Sequence, residues 1–227
     1  MPPDRPAESA WTVIVPVKRF DTAKARLSPE LAAPARADFA LAFARDTIRA
    51  LLLAPAVRRL IIVSDRPPAG LPVPEGASVL VQRGTGLNPA LREARLVAHA
   101  AAPGDPILIA VADLPCLRAD HVDAALAAAG HRRPRLVVDA AGTGTTAITL
   151  PPAAELSPSF GPDSAARHRR AGFRELRLPR DHTLRRDVDT REDLRLAEGL
   201  GVGEHTRAAL RRWADGAEPS PAASPLS

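Results

Sequence analysis

Asp113 follows the apolar run Pro106-Ile107-Leu108-Ile109-Ala110-Val111-Ala112 and precedes Leu114-Pro115. A carboxylate at the tip of such a buried strand is desolvated enough to matter and exposed enough to hold a cation. A second acidic pair, Asp187-Val188-Asp189, stands before Thr190, Glu192 and Asp193. Asp187 is assigned to a metal. Asp189 is either a second ligand or the cap of the following helix, where early carboxylates suit the positive dipole end. Mg²⁺ needs only one or two protein carboxylates, because phosphate and water supply its other oxygens. Asp113 with Asp187 therefore suffices.

Three further segments carry polar chemistry. Of 31 basic residues only Lys18 and Lys24 are lysines, which suggests a site that wants a compact ammonium rather than a guanidinium fork. Gly142-Thr143-Gly144-Thr145-Thr146-Ala147 superficially matches a dinucleotide fingerprint, but it runs into a β-branched strand rather than a helix, so that mechanism fails. Either its backbone N–H groups and the Thr145 hydroxyl approach a ligand, or it is a tight hairpin turn. Gly161-Pro162-Asp163-Ser164 opens a short helix, read either as an anion pocket or as plain capping by Asp163 or Ser164. The six histidines show no metal-ligand spacing, and no nucleophile elbow is present. Phosphoryl and nucleotidyl transfer need neither, since they depend on positioning and charge stabilisation.

The elements that must position these residues alternate. Strands are expected at 11–17, 59–64, 78–81, 106–112, 136–138, 145–150 and 174–178. Helices are expected at 35–53, 88–101, 119–129, 164–170, 190–200 and 204–213, with Pro89 at a first helical position and Gly172 as a stop. Residues 18–34 lack periodicity and read as a long functional loop. This alternation predicts an α/β fold in one domain, a Rossmann-like three-layer arrangement around a mostly parallel sheet. Ligands in such sheets sit beyond the carboxyl ends of the strands, where the Lys18 loop, Ser64-Asp65, Asp113 and Thr145 share a rim. Residues 1–10 read as a flexible leader, 11–213 as the domain, and 214–227, rich in Ala, Ser and Pro, as a disordered tail.

Composition excludes several classes. No apolar run approaches the roughly 20 residues of a membrane span, and the start lacks a secretory pattern. A lone Cys116 gives neither a disulfide framework nor a cysteine metal site. A soluble cytoplasmic protein is expected. The net charge of +5 invites a nucleic-acid-binding module without catalysis. Aromatics at 3%, with no Tyr, leave few stacking platforms, and the arginines from 167 to 186 are interleaved with acids, so nucleic acid is not the expected partner.

Val15-Pro16-Val17-Lys18-Arg19-Phe20 and Ala23-Lys24-Ala25-Arg26-Leu27 resemble the opening of the guanylyltransferases of coenzyme F-420 biosynthesis. The likeness continues through Asp46-Thr47-Ile48, Gly86-Leu87-Asn88-Pro89-Ala90, Ala112-Asp113-Leu114-Pro115, Gly142-Thr143-Gly144-Thr145, Phe160-Gly161-Pro162-Asp163-Ser164 with Arg167-His168-Arg169-Arg170, and Asp187-Val188-Asp189-Thr190 with Asp193-Leu194, over about residues 12 to 203. The resemblance implies a single-domain nucleotidyltransferase-like fold, GTP as donor, Mg²⁺ as cofactor, and phosphoenolpyruvate or 2-phospho-L-lactate as acceptor. It further implies that Asp113 and Asp187 hold the metals and that Thr145, Gly161 and Ser164 bind the acceptor phospho-acid. Lys18 and Lys24 would serve the triphosphate in catalysis, and Asn88 would contact the nucleoside. Thr146 departs from the Asn of many members, and Ala140 from a frequent basic residue. Phosphoenolpyruvate is the favoured acceptor. A homodimer is compatible with the sequence.

Overall fold

The computed structural model describes residues 10–17, 31–68, 70–152, 154 and 157–216. Seven strands join one sheet: β1 (Trp11–Pro16), β2 (Val57–Ser64), β3 (Ala77–Val81), β4 (Ile107–Ala110), β5 (Arg135–Val138), β6 (Thr145–Leu150) and β7 (Arg174–Glu175). Their spatial order is β3-β2-β1-β4-β6-β5-β7. The pairs β3–β2, β2–β1, β1–β4 and β5–β7 are parallel, whereas β6 runs antiparallel to both β4 and β5. The expected mostly parallel α/β sheet is therefore present.

The strands are apolar on both faces because helices cover both. Val13, Val15, Leu60, Ile62, Leu108 and Ala110 face α1 (Ala33–Leu52) and α3 (Ala119–Ala129). Ile14, Ile61, Val63, Ile107 and Ile109 face α2 (Leu87–Ala101) and α4 (Ser164–Arg170). Two-residue alternation sends neighbouring side chains to opposite layers, so a near-continuous apolar run is what a doubly covered strand requires. A third cluster joins Phe39 and Phe43 of α1 to Leu194 of α5 (Arg191–Leu200) and Ala209 of α6 (Glu204–Ala214). Asp46 accepts the backbone N–H groups of His205 (3.1 Å) and Thr206 (2.8 Å), fixing the start of α6 against α1.

Several boundaries differ from expectation, among them β4, which ends at Ala110 rather than 112. Pro89 is the third residue of α2, still within the turn whose N–H groups lack intrahelical partners. The strand expected at 174–178 is only two residues long. Leu176 N–H still bonds the Leu136 carbonyl at 2.8 Å, but the Val138 carbonyl, the next acceptor along β5, is taken by Arg185 Nε at 3.1 Å. A 3₁₀ turn at Thr183–Arg185 occupies the approach to Asp187. Lys18 and Lys24, most of the 18–34 loop, residues 1–9 of the leader and 217–227 of the tail lie outside the described residues. Among the described residues no helix is long and apolar enough to cross a membrane.

Candidate functional site

Asp113 lies three residues past the end of β4, half-buried, with Oδ1 shielded from solvent. Its backbone is held on both sides by one buried hydroxyl: Thr47 Oγ1, on α1, accepts from Leu114 N–H (3.0 Å) and donates to the Ala112 carbonyl (3.2 Å). The Asp187 stretch arrives alongside, because Val188 N–H donates to the Asp113 carbonyl at 3.1 Å. Val188 is fully buried in the third cluster, so Asp187 and Asp189, on either side of it, turn away from that core. Two segments over 70 residues apart in sequence thus bring Asp113 and Asp187 to one place. Thr190, not Asp189, is the N-cap of α5: Thr190 Oγ1 accepts from Asp193 N–H (3.2 Å), and Asp193 accepts from Thr190 N–H (2.8 Å). This capping box relieves Asp189 of the cap role.

Among the described residues no three His, Cys, Asp or Glu side chains gather as a metal cluster. Two half-buried acidic residues on hydrogen-bonded segments would suit Mg²⁺, a hard cation that keeps water and phosphate oxygens around it.

Thr145 opens β6 at this same end of the sheet. Val111 N–H bonds the Thr146 carbonyl at 2.9 Å, which carries the β4–β6 ladder to within two residues of Asp113. Thr146 is the extra residue of a bulge: Val137 pairs with Ala147 but Val138 with Thr145. The bulge re-aims both side chains. Thr145 turns toward α4, while Thr146 donates to the Leu184 carbonyl at 2.6 Å, tying β6 to the turn that leads to Asp187. Ala140 uses its N–H toward the Arg185 carbonyl (2.9 Å), so both positions that depart from the family join the sheet to this turn.

The Gly142-Thr143-Gly144 segment is the hairpin turn between β5 and β6, and its N–H groups do not await a ligand. The Asp139 carboxylate accepts from Gly142 (2.6 Å), Thr143 (3.0 Å) and Gly144 (2.7 Å). Glycine at 144 is required by contact, since a Cβ there would stand 2.3 Å from Asp139 Oδ2.

The Gly161–Ser164 segment differs from a simple anion pocket as well. Ser164 N–H bonds the Gly161 carbonyl and Ala165 N–H the Thr143 carbonyl, each at 3.1 Å, and the N-cap Asp163 makes no side-chain cap bond. What distinguishes the segment is how firmly it is anchored. Asn88 Nδ2 donates to the Phe160 carbonyl (3.0 Å) while Asn88 Oδ1 accepts from Phe160 N–H (2.8 Å). Arg167 reaches the Ser159 carbonyl (3.1 Å), Ser159 Oγ (3.0 Å) and the Pro162 carbonyl. His168 Nε2 accepts from Ser159 N–H at 2.9 Å. Asn88, expected at the nucleoside, thus spends one N–H and one lone pair on the Phe160 backbone. Thr47, Asp139, Arg167 and His168 were not identified as site residues from sequence. Thr47, Arg167 and His168 lie in segments of the family likeness, but only position in space gives them these roles.

Burial, and then the neighbouring Arg167, depress His168 to about 4; burial, and then His121 stacked 4.4 Å away, depress His182 to about 4. The unfolded value is about 6.5, so the unfolded chain binds more protons between these values. Stability is therefore complete above pH 6.5 and falls as pH drops toward 4, by on the order of 2–3 kcal/mol for each ring. Urea midpoints measured between pH 4 and 7 should show this slope, and His168→Gln should flatten it. Thr47→Val keeps the side-chain shape but leaves Leu114 N–H and the Ala112 carbonyl without this partner. It is expected to cost about 1–3 kcal/mol in urea unfolding, with turnover falling further than the fraction unfolded.

Residues 11–224 match the family described as guanylyl transferase CofC like. The chain belongs to this family. It is 46% identical over 204 residues to the phosphoenolpyruvate guanylyltransferase of Streptomyces coelicolor, covering 89% of this chain and 96% of that protein. It is 43% identical over 219 residues to the phosphoenolpyruvate guanylyltransferase of Thermomonospora curvata, covering 94% and 96%. Among solved structures, a protein from Desulfovibrio desulfuricans G20 assigned to the nucleotide-diphospho-sugar transferases matches with a TM-score of 0.65 at 20% identity, over 90% of this chain and 95% of that one. The 4-diphosphocytidyl-2C-methyl-D-erythritol synthase of Anaerococcus prevotii matches with a TM-score of 0.51 at 9% identity, over 85% and 96%. These distant structures share the fold of this CofC-like guanylyl transferase.

Proposed function

We infer that the chain transfers GMP from GTP to the phosphate of phosphoenolpyruvate, giving enolpyruvyl-diphospho-5'-guanosine and pyrophosphate. The observation that carries this reading is the junction of the Asp113 and Asp187 segments at the strand ends beside Thr145. Near-full-length likeness to phosphoenolpyruvate guanylyltransferases supplies the donor and acceptor.

An oxygen of the acceptor phosphate, already ionised at neutral pH, attacks the α-phosphorus of GTP, and the bond to the β-phosphate oxygen breaks. No general base is needed. The obstacle is repulsion between two polyanions. Mg²⁺ held by Asp113 and Asp187 would neutralise the triphosphate and the departing pyrophosphate. Lys18 and Lys24 are assigned to the same triphosphate charge, and Asn88 to the nucleoside. Thr145, Gly161 and Ser164 hold the acceptor in line, on a segment whose anchors restrict its motion before substrate arrives.

The test is pyrophosphate release with ATP, CTP, GTP and UTP against phosphoenolpyruvate and 2-phospho-L-lactate. GTP with phosphoenolpyruvate should be fastest; a higher kcat/KM for another nucleotide or for 2-phospho-L-lactate overturns the assignment. Ser164→Ala should raise the KM of phosphoenolpyruvate about tenfold, the loss of one hydrogen bond to an anion, with little change for GTP. The reverse pattern would misplace the acceptor.

A further inference from the structure

His168 is fully buried on α4, its ring set edge-on between Phe160 (centroids 5.2 Å apart, 75°) and Phe173 (5.0 Å, 70°). Two polar contacts fix its protonation. Ser159 N–H can only donate, so Nε2, 2.9 Å away, carries no proton. A neutral ring then bears its single proton on Nδ1, which lies 3.0 Å from Thr145 Oγ1. Burial, and then the positive charge of Arg167, disfavour a second proton and outweigh the backbone hydrogen bond at Ser164, which favours one.

The direction of the Thr145 bond follows. Nδ1–H donates and the Thr145 hydroxyl accepts, which leaves the hydroxyl's own proton for another acceptor. The described side-chain hydrogen bond of Thr145 is this one, to the ring. A hydroxyl normally rotates between donating and accepting. Here the imidazole selects one of those states.

We propose that His168 is a positioning residue that fixes the Thr145 hydroxyl as a donor aimed at the anionic group of the acceptor. The same ring holds Ser159, two residues before Gly161, so one side chain sets both the β6 contact and the 159–164 segment against each other. The orientation exists before the acceptor binds, and a donor that need not reorganise stabilises an anion better than a free rotor does. The identity of that anion rests on the acceptor assignment under Proposed function; the tautomer and the direction of the hydrogen bond do not.

Two measurements test this. In the full-length protein with ¹⁵N-labelled histidine, the ring-nitrogen shifts of His168 at pH 7 should show a bare Nε2 and a protonated Nδ1. The opposite tautomer, or a doubly protonated ring, overturns the proposal whatever the substrate. In pyrophosphate release, Thr145→Val and His168→Leu should each raise the KM of phosphoenolpyruvate about tenfold while that of GTP changes less than twofold. His168→Gln, which can both accept from Ser159 and donate to Thr145, should restore part of the loss. The double variant Thr145→Val/His168→Leu should raise the acceptor KM by less than the product of the two single factors. Equal rises for GTP, or factors that multiply in the double variant, would show a merely structural histidine. A wild-type protein inert toward phosphoenolpyruvate removes the proposed acceptor and the ligand half of this inference, while the tautomer is still decided by the shifts.

Discussion

Asp113→Asn is expected to leave a folded protein whose turnover is lower by about three orders of magnitude, equivalent to about 4 kcal/mol of transition-state stabilisation. The amide has the shape of the carboxylate but not its charge, and the backbone that presents it is held independently. Thr47 Oγ1 bonds the residues on either side, and Val188 N–H bonds the Asp113 carbonyl. None of these backbone contacts involves the side chain, so the substitution leaves them in place while it removes the charge. Urea unfolding should move by less than 1 kcal/mol while pyrophosphate release nearly vanishes. Near-normal release would remove Asp113 from the metal site.

The second large effect concerns stability. Asp139→Ala deprives three neighbouring N–H groups, those of Gly142, Thr143 and Gly144, of a charged acceptor at once. Hydrogen bonds to charged groups contribute about 1.5–3 kcal/mol each and do not add fully, so a loss of roughly 3–5 kcal/mol is expected in urea unfolding. Gly144→Ala should approach this by another route, since its Cβ meets Asp139 Oδ2 at 2.3 Å and the carboxylate cannot retreat without releasing its donors. Gly104→Ala is the control. Nothing lies within 4 Å of a Cβ there, and its stability should change by less than about 0.5 kcal/mol. If Gly144→Ala behaves like Gly104→Ala, the hairpin is not built on Asp139.

The layers were legible because burial on both faces demands apolar runs. β1 and β4 announce themselves as Trp11–Pro16 and Ile107–Ala110, and α3 and α4 occupy the expected spans because Gly130 and Gly172 follow them. Asp113 was legible for the same reason: it is the first charged residue after a buried strand. What sequence does not record is which strand lies beside which. The antiparallel placement of β6 depends on partners 37 to 43 residues away in β4, and nothing in Thr145–Leu150 marks its direction. The bulge at Thr146 has no composition of its own, yet it decides which way Thr145 faces.

The supporting residues were hidden for a related reason. Thr47 sits in a helix whose periodicity is set by Phe39, Phe43, Ile48 and Leu51, and its hydroxyl acts on a strand end 65 residues further on. His168 lies among arginines in Arg167-His168-Arg169-Arg170, where composition suggests a solvated face, but the helix turns this one residue inward. Asp139 carries no signal in the sequence because its partners are backbone groups, which every residue possesses. Gly142-Thr143-Gly144 left a choice between ligand approach and hairpin turn, and the carboxylate of Asp139 makes it the turn.

Electron paramagnetic resonance of Mn²⁺, standing in for Mg²⁺ with GTP present, addresses the meeting of the two acidic stretches most directly. Wild-type protein should bind the ion with GTP, and Asp113→Asn and Asp187→Asn should each weaken that binding by at least tenfold while remaining folded. Bound Mn²⁺ undiminished in either variant would mean that the two carboxylates do not share a cation.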